Sequence, residues 1–485
     1  MDIFSPTGPL VTRIKGQQPQ LQPSPEASQS FYRNLEDALD ARRTSHTLYS
    51  IVQNSWQVND AVADFSSNDI LSLGSSGLLR AEYLNELAQN PASNPGAGGS
   101  RLIDGNYTYL EETEQVIASF HGAETALLLA SGYEANIAIW TAIPRPGDVI
   151  LYDALVHAST HDGMDQSLAV EREEFGHNNI VDFRRALLAI LESKPLVKQG
   201  KRSIIIAVES VYSMDGDVCP LQELVDIAKD VCPKGNAQFV VDEAHSTGVL
   251  GPNGAGLVCA LGLENEIAVV MHTCGKALSS RGAAILGNKT IKAMLINFAK
   301  SIIFTTAPPF AHVALMRAGY KLLGSEQGQE ARDQVRSRLE FFLETITSHP
   351  LWEEATAKGL LAIPILKDWE EKPLATSHIV TIWTRQHCTY WLYFHLLFAG
   401  FCVFPVEHPV VAKNQSRLKV TFHAGNTETQ VEGLVVAIYE WVQEMLDSQC
   451  SGIQGKGKNK ATRAAGEVYA WMAGEKLTGF GMPAV

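Results

Sequence analysis

The chain has 485 residues, enough for a large α/β core and further units, and 45% apolar with 19% charged side chains excludes wholesale disorder and collagen-like repetition. Thirty-nine basic against 53 acidic side chains leave a net charge of −14, which argues against a nucleic-acid-binding face. Seven scattered cysteines with no C-x-x-C pair indicate neither a disulfide framework nor a zinc ribbon, and a reducing, cytoplasmic setting is expected.

Residues 1–23 are rich in Pro, Gln and Gly, lack a hydrophobic period and contain no apolar run of the signal-peptide kind. Ser24-Pro25-Glu26 combines an N-cap with Pro at the first helical position and predicts a helix to about Gln53. From there to about position 290, short β-rich runs alternate with helical patterns. The runs are ALLLA (126–130), DVILY (148–152), SIIIAVES (203–210), QFVVDEA (238–244) and EIAVVMH (266–272). They are almost continuously apolar, as strands covered on both faces of a parallel sheet must be. TYLEETEQVIASF, IVDFRRALLAILES and PLQELVDIAKDV supply the helices between them, so a doubly wound, mainly parallel α/β domain is expected.

After about position 310 the texture changes to a long helix, the strands HIVTIWT and RLKVTFHA, and a closing helix VEGLVVAIYEWVQEML, which read as a smaller α+β domain. The longest apolar stretch, Tyr390 to Phe404, is short of the ~20 residues that a membrane span requires and reads as a buried helix followed at Gly400 by a buried strand. The expected organisation is an arm and helix over 1–60, a large domain over 61–310, a small domain over 311–450 and a Gly/Lys-rich flexible tail over 451–485.

Polar residues at the ends of these strands are where the chemistry is expected, because ligands of open α/β sheets gather at the carboxyl ends of strands. Asp153 to His157 follow VILY, Asp242-Glu243-Ala244-His245 follow QFVV, and His272 to Lys276 follow EIAVV. Ala130-Ser131-Gly132-Tyr133 follow ALLL and open a helix whose free N–H groups can cradle an anion. Each element alone has a bland reading as a cap, a turn or a solvated lysine. His157 and His161 stand i, i+4 but find no third metal ligand at matching spacing. Gly96 to Gly99 follow no strand, and Cys274-Gly275-Lys276-Ala277 lacks the remainder of a phosphate-binding loop, so neither predicts a nucleotide. Together, a lysine, an acid, an imidazole and a phosphate cradle at one sheet edge are what pyridoxal phosphate requires.

With those residues in place, the chain resembles the α-oxoamine synthases of the fold-type I pyridoxal-phosphate enzymes. The blocks that carry the resemblance are DFSSNDILSL (64–73), GAGGSRLIDGN (96–106), ASGYEAN (130–136), VHAS (156–159), ESVYSMDGDVCPL (209–221), VDEAHSTGVLG (241–251), CGKALSSRGAAILG (274–287) and FTTAPP (304–309). The resemblance implies Lys276 as the Schiff-base lysine, Asp242 as the partner of the pyridinium nitrogen and His157 stacked on the ring. It implies His245 and Ser213 near the phenolic oxygen, with Gly132, Tyr133 and Thr273 at the phosphate. Thr305 and Thr306 match a segment that reaches a neighbouring subunit's phosphate, implying a homodimer with shared sites, and Asn68 matches a position beside the substrate carboxylate. The implied reaction is a decarboxylative Claisen-type condensation of an amino acid with an acyl thioester, on coenzyme A or a carrier protein, to an α-amino ketone. Aminotransfer, retro-Claisen cleavage and a non-catalytic partner subunit are the alternatives. The chain departs from the family where an R-L-R strand is expected. It reads Arg417-Leu418-Lys419, with Glu407 a few residues earlier, so either Lys419 holds the substrate carboxylate as a point charge or Glu407 contacts a different group such as an amine, and an acyl donor with a terminal carboxylate is disfavoured in both readings.

Overall fold

The computed structural model describes residues 30–44, 62–369, 377–385, 388–407, 410–412 and 414–451. The expected arm, both ends of the expected helix 24–53, and residues 452–485 of the tail lie outside this set.

Strand β1 (Ala63–Asp64) is set apart from the main sheet, which is built from β2 (Thr125–Leu129), β3 (Val149–Asp153), β4 (Glu171–Phe175), β5 (Ile204–Glu209), β6 (Ala237–Asp242), β7 (Val269–Thr273) and β8 (Ala283–Gly287). Their spatial order is β2-β8-β7-β6-β5-β3-β4, and every pairing is parallel except those of β8, which runs against both β2 and β7. Alternate side chains reach opposite faces: Ile204, Ile206 and Val208 enter one core cluster and Ile205 and Ala207 another. Helices cover both faces, which is why these strands read as unbroken apolar runs. Two strands escaped the sequence reading. The edge strand β4 is EREEF, whose charges protect an exposed edge from further pairing and hide its β character. The other, β8, lies inside the CGKALSSRGAAILG block.

The second unit is a three-stranded antiparallel sheet, in the order β11-β12-β9, of β9 (Ile379–Trp383), β11 (Phe404–Val406) and β12 (Arg417–Thr421). The two-residue β10 (Phe401–Cys402) pairs with β1 instead. Leu418, Val420, Val380 and Ile382 join a core with Phe342, Phe394 and Trp441 from the helices Glu326–Thr347, Thr389–Phe398 and Glu428–Ser451. The apolar stretch of 390–404 is this buried helix, turned by Gly400 at φ 89° into β10 and β11. No helix among the described residues is long and apolar enough to cross a membrane.

The opposite face of β12 carries Arg417, Lys419 and Thr421, which by alternation should face water, yet they are 2%, 7% and 0% exposed. They are buried because this face packs against the large unit. Ser377 donates to the carbonyl of Gly216 at 2.8 Å, and Arg417 pairs with Asp215 while its guanidinium lies 4.0 Å over the Trp383 ring. Only glycine permits the approach at 216, where a Cβ would stand 2.2 Å from the carbonyl oxygen of Ile379.

Candidate active site

Parallel strands end together, so β3, β5, β6 and β7 bring their final residues to one edge, beside the start of the helix Gly132–Ala142. A cavity of ≈ 150 Å³ opens there, lined by eight expected residues: Gly132, Tyr133, His157, Ser213, Asp242, His245, Thr273 and Lys276. Asn136, Ser159 and Glu209 also line it and were not singled out from the sequence, although each lies inside a block that carries the resemblance.

These three residues connect the others. The Asn136 amide nitrogen donates to Asp242 Oδ2 and to Ser159 Oγ, each at 2.9 Å, while the backbone N–H of Ala244 donates to Asp242 Oδ1 at 2.9 Å. The Ser159 hydroxyl lies 2.8 Å from His157 Nδ1, and the Ser159 backbone N–H points at the same nitrogen from 3.2 Å. A backbone N–H can only donate, so Nδ1 accepts and a neutral His157 carries its proton on Nε2. Glu209 accepts the backbone N–H of His157 and so pins the residue that caps the helix Ala158–Asp165. Asp242 is thereby held by two donors in a buried setting, and the His157 ring is tied to it through two side chains.

Burial lowers the Lys276 ammonium from its ordinary range, with Asp242 and Glu209 opposing. Burial pushes His245 well down, and the positive charge of Lys276 adds to it. Burial and then the charge of Asp242 push Glu209 well up, with Lys276 opposing.

The residues present fit pyridoxal phosphate. His245 is 5% exposed and its Nδ1 has no hydrogen-bond partner, leaving a polar atom for a bound group. The helix at Gly132 starts with N–H groups that have no intrahelical acceptor, and a Cβ at Gly132 would come 3.3 Å from Thr273, so glycine keeps the cradle open. The Tyr133 hydroxyl turns away to Asp162. Among the described residues no group of three or more side chains could hold a metal, and the His161 ring sits edge-on to Tyr152 at 5.4 Å.

Other expected residues lie apart. Thr305 and Thr306 are exposed and line a separate cavity of ≈ 360 Å³ with Gly96, Gly98 and Arg281. Asn68 is exposed and does not line the Lys276 cavity. Lys419, on the small sheet, does not line the cavity; burial, with the charge of Lys276 adding, pushes it down to about 7. Glu407 accepts a hydrogen bond from Ser416, and burial pushes its carboxyl up to about 7. Neither of these two groups is among those that shift the other.

A mostly parallel seven-stranded sheet with a lysine, an acid and a histidine at its carboxyl edge defines a fold-type I pyridoxal-phosphate enzyme. The aminotransferase class I and II family matches residues 61–438. The chain is 50% identical to the aminoacyl transferase sphA of Aspergillus fumigatus over 96% of its own length and 97% of the relative's. It is 42% identical to the 8-amino-7-oxononanoate synthase of Emericella nidulans, over 79% and 90% respectively. A Sphingomonas wittichii serine palmitoyltransferase has the same fold, with a TM-score of 0.67 at 23% identity over 80% of this chain and 88% of that one. The chain belongs to the aminotransferase class I and II family and, within it, to the α-oxoamine synthases, pyridoxal-phosphate-dependent acyltransferases.

Proposed function

We propose that this enzyme condenses an amino acid with an acyl thioester, with loss of CO₂, to give an α-amino ketone. Bound pyridoxal phosphate supplies the electron sink for the carbanion formed at the amino acid's α-carbon. The observation that carries the reading is that Lys276 shares one cavity with Asp242 and its tether to His157. Lys276, disfavoured as an ammonium by burial, is suited to take the α-proton. Asp242, fixed by Asn136 and Ala244, is suited to hold a positive charge opposite it. In the balanced step the carbanion forms a bond to the thioester carbonyl carbon, the C–S bond breaks and thiolate leaves; the resulting β-keto acid releases CO₂, and the α-carbon takes a proton back, with Lys276 placed to return the one it removed.

We further propose a homodimer in which Thr305 and Thr306 serve the partner's site. Their exposure, their place in a cavity apart from Lys276, and the 79% exposed Phe304 beside them support this. A place in secondary metabolism and a cytoplasmic location are part of the same reading. The aminoacyl transferase of Aspergillus fumigatus matches 96% of the chain, whereas the oxononanoate synthase matches 79%.

The test incubates the holoenzyme with a panel of amino acids and acyl thioesters, on coenzyme A and on carrier protein. One CO₂ and one free thiol per product are expected. Formation of a 2-oxo acid would instead mean aminotransfer, and cleavage of a 2-amino-3-oxo acid by free thiol to an amino acid and an acyl thioester would mean retro-Claisen cleavage.

A further inference from the structure

The small sheet sets against His245, which lines the Lys276 cavity, a histidine whose ring nitrogens have no partner among the described residues. His378, immediately before β9, is 2% exposed, and neither ring nitrogen has a hydrogen bond. Its ring stacks on that of His245 at 6.0 Å between centroids and 25° between planes. Lys419 on β12 is 7% exposed and makes no ion pair among the described residues. The lysines that act on this cluster are cations: Lys419 and Lys276 on both His378 and His245. The nearby acids, Asp242 and Glu209, act on Lys276 instead. Buried donors without acceptors next to a substrate cavity indicate a bound anion.

We propose that His378 acts with Lys419 to hold the carboxylate of the amino-acid substrate, and that His378 is the residue that sets the preference for an amino acid over the bare amine. This rests on the proposed function, which supplies the amino acid. Lysine is a point charge without the planar fork of arginine, so a second donor is needed to orient both carboxylate oxygens. His378 is the buried donor on the adjacent strand.

The arrangement also makes binding proton-linked. Lys419, pushed by burial to about 7, is charged below that pH and must take up a proton to hold an anion above it. Affinity for the carboxylate is therefore full below about 7 and declines toward tenfold per pH unit above it.

The experiment measures the cofactor's absorbance change in the holoenzyme with three matched pairs: glycine and methylamine, L-alanine and ethylamine, L-serine and ethanolamine. Within each pair the amine and its reaction with the cofactor are shared, so the affinity ratio isolates the carboxylate. In the wild type the ratio is expected to fall as pH rises above about 7. Lys419→Arg is expected to flatten that slope while keeping the preference, because guanidinium stays charged. His378→Phe keeps the stacked ring and removes only unpaired nitrogens, so the thermal midpoint is expected to hold while the ratio drops at least fivefold. A wild-type ratio in His378→Phe overturns the role of His378. A slope that persists in Lys419→Arg overturns that of Lys419. If no member of any pair changes the spectrum of the wild type, the amino-acid reading itself falls, and this inference with it.

Discussion

Lys276 and Asp242 line one cavity together with Glu209 and His245. Burial pushes Glu209 up and both His245 and Lys276 down, with Asp242 opposing the shift of Lys276. Lys276→Ala should therefore abolish turnover while leaving the fold intact, and borohydride should attach the cofactor to the peptide that contains Lys276. Label on any other lysine would refute the assignment. Asn136 offers a finer test. Asn136→Ala leaves Asp242 Oδ2 without its side-chain donor, and a hydrogen bond to a charged group is worth about 1.5–3 kcal/mol, so a ~10–100-fold loss in kcat is expected with the cofactor still bound. Wild-type kcat in this variant would show that Asp242 needs no such support. The sequence offered no way to single out Asn136 from other helical asparagines, because its function is a contact with residue 242, more than a hundred positions away.

At the scale of elements, the loop 212–217 fastens the small sheet to the end of β3. His177 lies 2.8 Å from Asp153 and 2.6 Å from Asp217, and Arg417 meets Asp215 on the other side. Burial disfavours the charged His177 ring, but hydrogen bonds to Asp153 and Asp217 outweigh it and hold the ring up at about 10. A raised value in the folded state stabilises fully below the unfolded value of about 6.5 and loses that contribution progressively as pH climbs to about 10. The thermal midpoint of the wild type is expected to fall across this window, and His177→Gln should lower it near pH 6 while removing that part of the decline. Parallel curves for the two proteins would exclude the tie. The strand RLKVTFH alternates polar and apolar side chains. What the pattern cannot convey is that the polar face meets a second unit instead of water, because alternation records two different environments without naming either.

At the scale of the whole molecule, the proposed dimer makes a further prediction. Phe304→Asp places a charge on a surface that the dimer must cover, so the variant should sediment as a monomer and lose activity although Phe304 does not line the Lys276 cavity. Sedimentation unchanged from the wild type would sink that surface. The parallel sheet, the helices between its strands, the helix and strand around Gly400, and the lysine, acid and imidazole at the strand ends were all legible in the chain, since each depends on period, capping or a short motif. Those signals are local, and local backbone chemistry produces them wherever the chain travels. The electrostatic coupling of Lys419 and His378 to Lys276, and the hydrogen bonds that tie Asn136 and Ser159 to Asp242, were decided only by the tertiary structure. Each depends on the distance between segments far apart in sequence, and burial, which sets the charge of these groups, exists only once those segments have packed.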